Sequence, residues 1–160
     1  MGRRYLMAKC YQLVGVPGAG KSTWVSQQDF DWSRTAIVST DRYVDQFADW
    51  HKKTYNEVFE EYMPTAIALM IEQVKALRAS DLDIVWDQTS TTIKSRKRKF
   101  NMLPGYEHIA VVFTTPVREV LEARLASRPG KNIPMRVMTQ MIEGFEMPTL
   151  DEGFTEIRFG

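Results

Sequence analysis

The amino-acid sequence predicts an α/β fold in which a mainly parallel sheet is covered by helices on both faces. Short apolar segments rich in β-branched and aromatic residues alternate along the chain with longer segments of helical periodicity. Such alternation is typical of parallel strands joined by right-handed helical crossovers. The 160 residues contain no repeat, no low-complexity tract and no linker-like change of composition. We therefore expect one domain that spans residues 1–160.

Composition and charge narrow the classes of function. Apolar residues make up 44% and charged residues 26% of the chain, as in ordinary globular proteins. The net charge of +1 creates no overall basic field, so nucleic-acid binding would need a local patch. No apolar run reaches the roughly 18 residues of a membrane helix, and the first stretch, MGRRYLMAKCYQ, lacks the apolar core of a signal peptide. We therefore expect a cytoplasmic protein without a membrane partner, in the host cytoplasm if a phage encodes it.

Local periodicity predicts the elements of the first part of the chain. Residues 9–16 form an apolar run that predicts a buried strand. The lone Cys10 lies in this run, so we expect a buried structural thiol rather than a nucleophile. A helix is predicted to begin at Ser22, and residues 35–40 predict a second short strand.

A long helical pattern follows at about residues 56–79, where Pro64 predicts either a kink or two successive helices. Strands and helices then alternate to the end of the chain. They are a strand at 82–87, a helix at 92–103, a strand at 108–114, a helix at 117–127, a loop at 128–133, a helix at 134–145 and a final strand within 147–159.

The stretch GVPGAGKST, residues 15–23, predicts a phosphate-binding loop. It matches the pattern G-x-x-x-x-G-K-[ST] and lies between a predicted strand and a predicted helix. The glycines permit positive φ and let backbone N–H groups approach a ligand closely. Lys21 would place its charge at the β- and γ-phosphates of ATP, and Ser22 would offer its hydroxyl to Mg²⁺. The predicted nucleotide-binding residues of the loop are Gly15, Gly18, Ala19, Gly20, Lys21, Ser22 and Thr23.

Two aspartates lie directly after predicted strands. Ligands of parallel α/β sheets bind beyond the carboxyl ends of the strands, so Asp41, Asp87 and the loop should converge in one cleft. Asp87 ends an apolar run, which favours a role beside Mg²⁺ or the loop, and Ser22 is the other candidate ligand of Mg²⁺. Asp41 is then the candidate general base for an attacking hydroxyl. The alternative for each aspartate is a helix N-cap without chemistry.

The segment RLASRPGKNIP, residues 124–134, predicts a lid. Arg124 and Arg128 are four residues apart and are followed by proline and glycine. Their guanidinium groups could reach the phosphates of a nucleotide when such a segment closes. The alternative is an exposed basic turn.

The roles of the basic run KSRKRKF, residues 94–100, and of one aromatic residue are not decided by the sequence. The run could hold a nucleic-acid backbone, but on a helix most of its charges are expected to be solvated. Tyr43 is a weak candidate for stacking on a base. Neither His51 nor His108 has partners at metal-ligand spacing.

The order of these parts resembles the P-loop kinase domain of phage-type polynucleotide kinases, within the broader group of small P-loop kinases that phosphorylate hydroxyl groups. The stretches that carry the resemblance are KCYQLVGVPGAGKSTW, STDRY, VWDQTSTTIKSRKR and VVFTTPVREVLEARLASRPGKNIP. The resemblance implies a P-loop NTPase-type three-layer sandwich with an arginine-containing lid. It also implies that ATP and Mg²⁺ are bound.

The resemblance assigns roles to individual residues. It implies that Lys21 and Ser22 hold ATP and Mg²⁺, and that Asp41 is the general base. Asp87 matches the essential aspartate at a strand tip. Arg128 matches the lid arginine, and Arg124 lies one turn earlier in a supporting place. The implied catalytic residues are therefore Asp41, Lys21 and Arg128.

One position departs from the family pattern. The related kinases have an arginine three residues beyond the base, where it contacts a phosphate of the substrate strand, and this chain has Val44. Arg42 could substitute for it from another direction. The expected substrate positions are thus Asp41, Arg42, Tyr43 and Val44.

The leading hypothesis for function is ATP-dependent phosphorylation of a hydroxyl on nucleic acid, most simply the 5′ end of DNA or RNA. One alternative is a DNA base kinase that acts on a hydroxymethylated pyrimidine, such as 5-hydroxymethyluracil, in phage DNA. Another is a kinase for a small molecule such as a nucleoside or sugar. A nucleotide-binding switch that hydrolyses ATP without an acceptor belongs to a different class. The sequence does not indicate an oligomeric state.

Overall fold

A computed structural model describes residues 7–160, which form a five-stranded sheet and six α-helices. Residues 1–6 lie outside the described residues. They are the first half of MGRRYLMAKCYQ, the stretch that lacks the apolar core of a signal peptide. The strands are β1 (Lys9–Val14), β2 (Thr35–Val38), β3 (Asp83–Trp86), β4 (Glu107–Val112) and β5 (Glu156–Phe159). The helices are α1 (Lys21–Gln27), α2 (Thr40–His51), α3 (Tyr55–Ala79), α4 (Ile93–Met102), α5 (Arg118–Ala126) and α6 (Met135–Glu143). A short 3₁₀ helix spans Leu150–Glu152.

The strand order is β2-β3-β1-β4-β5, and all four neighbouring pairs are parallel. Alternate residues of β1 enter two different apolar clusters. Cys10 packs with Met70 of α3 on one face of the sheet, whereas Leu13 packs with Val25 of α1 on the other. The sheet is therefore covered on both faces, which confirms the predicted α/β three-layer fold. Burial raises the pKa of the Cys10 thiol, in agreement with a structural cysteine.

The fold contains one helix that the sequence analysis did not predict. Strand β2 ends at Val38 rather than at residue 40, and α2 begins at Thr40 after the extended N-cap residue Ser39. The core face of α2 consists of Thr40, Val44 and Ala48, each one turn from the next. Asp41 therefore lies in the first turn of a helix and not at the tip of a strand.

Helix α3 runs unbroken through Pro64, so the alternative of two successive helices is wrong. The helix begins with a capping box in which Thr54 and Glu57 exchange hydrogen bonds. Its buried side chains, including Val58 and Val74, pack against α2 and the sheet. We infer that this packing offsets the hydrogen bond that proline cannot donate.

The basic run on α4 is only partly solvated. Arg96 is fully buried and donates to both carboxylate oxygens of Glu152, at 2.8 and 3.1 Å, and to the carbonyl of Ser90 at 2.9 Å. Lys99 lies 5.3 Å from the ring centre of Trp86, and burial lowers its pKa to about 8. These two residues have structural roles, so the prediction of a solvated run holds only for its exposed members. Those are Lys94, Lys97 and Arg98.

No helix formed by residues 7–160 has the length and apolar character needed to cross a membrane.

The buried pair of Arg96 and Glu152 can be tested by substitution. Glu152→Gln leaves the buried guanidinium without a counter-charge, so we expect the free energy of unfolding to fall by about 3 kcal/mol in urea denaturation. The control Glu122→Gln breaks an exposed pair with Arg118 and should leave the urea midpoint unchanged. Equal shifts in the two variants would contradict a structural role for the buried pair.

Candidate active site

The predicted phosphate-binding loop leaves the carboxyl end of β1 and leads directly into α1. Gly18 and Gly20 have φ of +83° and +104°, a region that favours glycine. Gly15 does not have positive φ, so that expectation is wrong for this residue. Glycine is needed here because the loop backbone passes close to Phe113: a Cβ at Gly15 would lie 2.9 Å from the Cβ of Phe113. Its N–H donates to the carbonyl of Thr89 at 2.9 Å, which ties the loop to the segment after β3.

The loop presents donors that suit phosphate oxygens. Gly20 is the N-cap of α1, and no side chain in the described part of the protein caps this helix. Its first N–H groups are thus available to an anion. The Lys21 ammonium donates to the carbonyls of Gly15 at 2.7 Å and Val16 at 2.9 Å. Burial lowers the pKa of Lys21 to about 8, against the opposing effect of the nearby Asp87 and Asp41 carboxylates.

Asp87 and Asp41 lie close to this lysine, as the sequence predicts. Asp87 directly follows β3, and burial raises its pKa while the charge of Lys21 lowers it. Asp41 reaches the same place from the first turn of α2. Neither aspartate is a helix N-cap, because Ser39 caps α2 and Thr92 caps α4. The charges of both carboxylates therefore act on the lysine of the loop.

The two predicted lid arginines take different positions. Arg124 lies in the last turn of α5, and its Nη1 donates to the carbonyl of Gly18 at 3.0 Å. Arg128 follows α5 and is half-buried, with its Nε buried and without a hydrogen-bond partner within residues 7–160. The positive charge of its guanidinium contributes to the lowered pKa of Lys21. Arg124 is thus bonded to the loop although it is exposed, and Arg128 lies near enough for its charge to act on Lys21.

The segment after Arg128 is docked on the beginning of α3. The N–H of Asn56 donates to the carbonyl of Gly130 at 3.0 Å. The side chain of Asn56 donates to the carbonyl of Asn132 at 3.1 Å and accepts from its N–H at 2.9 Å. Gly130 has φ of +72°, and a Cβ there would lie 2.7 Å from the Cβ of Thr54. The lid is thus held on α3 through its own backbone groups.

Tyr55 is a residue of the site that sequence reasoning missed. Its hydroxyl donates to Oδ1 of Asp41 at 2.6 Å. Burial raises the pKa of the phenol, and the hydrogen bond to Asp41 raises it further. Lys131 of the lid lies 4.8 Å from the centre of the Tyr55 ring and donates to Asp45 at 2.9 Å. No local pattern could have indicated this contact, because it joins two helices that pack only in the folded chain.

The four expected substrate positions on α2 face different surroundings. Asp41 accepts the hydrogen bond of Tyr55. The hydroxyl of Tyr43 donates to Gln73 at 3.0 Å, and Arg42 and Tyr43 line a cavity of about 130 Å³ beside the end of β2. Val44 is fully buried between α2 and α3, so its inclusion among the substrate-contacting positions is corrected.

The residues present fit ATP and Mg²⁺. The free N–H groups of α1 and the Lys21 ammonium suit the phosphates. Within residues 7–160 no three or more His, Cys, Asp or Glu side chains cluster in a way that could hold a metal ion. Ser22 is exposed in the first turn of α1, so we expect it to hold Mg²⁺ with Asp87 and phosphate oxygens.

Comparison with known proteins yields a family and a set of similar folds. A family model described as "AAA domain" matches residues 11–148. The crystal structure of a suspected kinase from Chloroflexus aurantiacus is 18% identical over 96% of this chain and 85% of that chain, with a TM-score of 0.69. A chain from a structure of the Pnkp1/Rnl/Hen1 RNA repair complex is 22% identical over 86% of this chain, with a TM-score of 0.62.

A fungal RNA kinase has the same fold, with 13% identity over 96% of this chain and 74% of that chain and a TM-score of 0.56. At these identities the likeness shows the fold, a P-loop domain with a parallel sheet. The present chain spans only 44% of the matched chain in the RNA repair complex.

The docking of the lid on α3 can be tested at Gly130. In Gly130→Ala the new methyl group would overlap Thr54, so we expect the amides of Asn56 and Asn132 to exchange hydrogen about tenfold faster. Hydrogen exchange with mass spectrometry or NMR measures this rate. Gly105→Ala is the control, because Gly105 also has positive φ, +81°, but has no atom within 4 Å of the added Cβ. Unchanged exchange at both amides in Gly130→Ala would contradict the docked lid.

Proposed function

The chain belongs to the AAA domain family, and we propose that it is an ATP-dependent kinase that transfers the γ-phosphate to a hydroxyl of a nucleic acid. The 5′-hydroxyl end of DNA or RNA is the acceptor that we favour. The observation that carries the proposal is the placement of Asp41 and Asp87 near Lys21: the charges of both act on this lysine, and the segment after β3 bonds to the loop and to the start of α2. A loop alone accounts for nucleotide binding, whereas a second carboxylate beside it provides a base for an acceptor.

In the proposed reaction each of these residues has a part of its own. The loop N–H groups and Lys21 bind the phosphates, and Arg128 approaches from the lid to neutralise charge on the transferred group. Ser22 and Asp87 would hold Mg²⁺, which would supply further neutralisation of charge when bound. The acceptor oxygen attacks the γ-phosphorus while its proton passes to Asp41. The bond from the γ-phosphorus to the β,γ-bridging oxygen breaks, and ADP leaves.

Two observations support a nucleic-acid acceptor. Structures with the same fold are described as an RNA repair complex and a fungal RNA kinase. In addition, Asp41 is exposed, so a large acceptor can approach it. These observations agree with a polymer that presents one hydroxyl at the edge of the site.

Val44 favours one alternative acceptor within the same chemistry. The resembled kinases place an arginine at this position to contact a phosphate of the substrate strand, but Val44 is buried in the core. A hydroxymethylated pyrimidine within a DNA strand would not require that contact. Transfer to such a base is therefore the second candidate function.

A screen of acceptors with labelled ATP tests the proposal. We expect label on a 5′-hydroxyl oligonucleotide, and Asp41→Asn should lower the transfer rate by about 10² to 10⁴-fold without loss of ATP binding. Asp49→Asn is the control, because Asp49 is exposed on the same helix outside the site.

The other acceptors of the screen separate the alternatives. Label only on DNA that contains hydroxymethyluracil would establish the second candidate. Label only on free nucleosides, or none on any acceptor, would refute a nucleic-acid kinase. Phosphate release that no acceptor changes would indicate an ATPase instead.

The lowered pKa of Lys21 predicts proton uptake when ATP binds. With a pKa of about 8, much of Lys21 is neutral at pH 8.5 in the free protein, and the phosphates of ATP favour its charged form. We expect an uptake of about half a proton or more at pH 8.5 and little from this residue at pH 6.5. Calorimetry in buffers of different ionisation enthalpy measures the uptake.

Lys21→Arg provides the matched comparison, because its guanidinium keeps the charge without titrating near pH 8. The uptake at pH 8.5 should disappear in this variant. An equal uptake in both proteins would show that another group takes up the proton.

A further inference from the structure

We propose that Tyr55 is a positioning residue for the candidate base: its hydroxyl holds the Asp41 carboxylate in one orientation and links that orientation to the docked lid. This inference rests on the proposed function, in which Asp41 accepts the proton of the acceptor hydroxyl. It gives the first residue of α3, Tyr55, a role in the reaction.

The hydrogen bond between the two residues restrains an otherwise exposed carboxylate. Asp41 lies on the exposed side of α2, where an aspartate would ordinarily change rotamer freely. The Tyr55 hydroxyl donates to its Oδ1 at 2.6 Å, from a half-buried ring on the neighbouring helix. Because Tyr55 occupies only one oxygen, Oδ2 stays available to an acceptor. A base held in this way is already oriented before the acceptor arrives.

The lid holds the Tyr55 ring from the other side. The Lys131 ammonium lies 4.8 Å from the ring centre and also donates to Asp45, which is one turn beyond Asp41 on α2. Asn56, the next residue of α3, binds the lid backbone at Gly130 and Asn132. Docking of the lid therefore brings a cation onto the ring whose hydroxyl holds the base. Arg128 belongs to the same segment, and its charge acts on Lys21 of the loop.

The packing contacts of Tyr55 are made by its ring and do not require its hydroxyl. The ring contacts Phe59, with 5.6 Å between the ring centres, and lies beneath Lys131. Phenylalanine would preserve both contacts. The contact that requires the hydroxyl is the one with Asp41. Tyr55→Phe therefore separates positioning of the base from stability of the helix pair.

The kinetic test compares Tyr55→Phe with a matched variant. We expect kcat for phosphoryl transfer to fall about 10- to 100-fold, while KM for ATP and acceptor-independent ATP hydrolysis stay within about twofold. The control is Tyr62→Phe, which removes a hydroxyl of the same helix that lies 2.6 Å from Nε2 of His51, outside the site. This variant should transfer phosphate at the normal rate. An unchanged kcat in Tyr55→Phe would overturn the inference.

A double variant shows whether Tyr55 acts through Asp41. If it does, adding Tyr55→Phe to Asp41→Asn should change the remaining rate by less than about twofold. If instead the two effects multiply, Tyr55 acts independently of the base, and the positioning role is refuted.

A spectroscopic measurement distinguishes failure of the inference from failure of the proposed function. The charge and hydrogen bond of Asp41 raise the pKa of Tyr55, and Asp45, Arg128 and Lys131 also face this phenol. Asp41→Asn should therefore lower that pKa, as followed by the ¹³Cζ shift of labelled tyrosine. Transfer without this coupling would overturn only the role of Tyr55. Coupling without transfer to any acceptor would overturn the proposed function and the positioning role together.

Discussion

The candidate site depends on the central position of strand β1 in a parallel sheet. β1 pairs with β3 on one side and β4 on the other, and Gln12 of β1 lies opposite Trp86 of β3. This register places Asp87 beside the beginning of the phosphate-binding loop. The N–H of Gly15 then bonds to the carbonyl of Thr89, so the loop and the segment after β3 hold each other. Parallel pairing thus brings a phosphate site and a carboxylate to the same edge of the sheet.

The second carboxylate depends on helix packing rather than on strand pairing. Asp41 lies on α2, and the position of α2 is set by small apolar residues that pack against α3. Val44 and Ala48 meet Val58 and Ala66 there. The same α3 carries at its first turn the residues that contact the base and the lid. One helix pair therefore decides where the base lies and where the lid docks.

How much of this site the sequence could predict depends on how local each signal is. The loop, Asp87 and the lid arginines belong to short patterns with a chemical reason, and the structure brings them together. Helix α2 was missed although its buried residues Thr40, Val44 and Ala48 recur at one-turn spacing, a local signal that the sequence does contain.

Other features depend on contacts between distant parts of the chain. Arg96 is buried because Glu152 lies opposite it, 56 residues away in sequence. Tyr55 meets Asp41 only because α2 and α3 pack together. Composition and periodicity cannot report such contacts, because they describe each segment in isolation. The roles of individual site residues remain predictions.

The arrangement of α2 restricts how an acceptor can be recognised. Among the residues that follow Asp41 on α2, Arg42 and Tyr43 line a cavity beside the end of β2 and Val44 lies in the core, whereas Asp45 binds Lys131 of the lid. The groups that face Asp41 come instead from Tyr55 and from the lid, where Lys131 covers the tyrosine ring. We therefore infer that recognition of the acceptor and docking of the lid use the same contacts. A correct acceptor would then stabilise the docked lid, the arrangement in which Arg128 lies near Lys21 and the base is held by Tyr55.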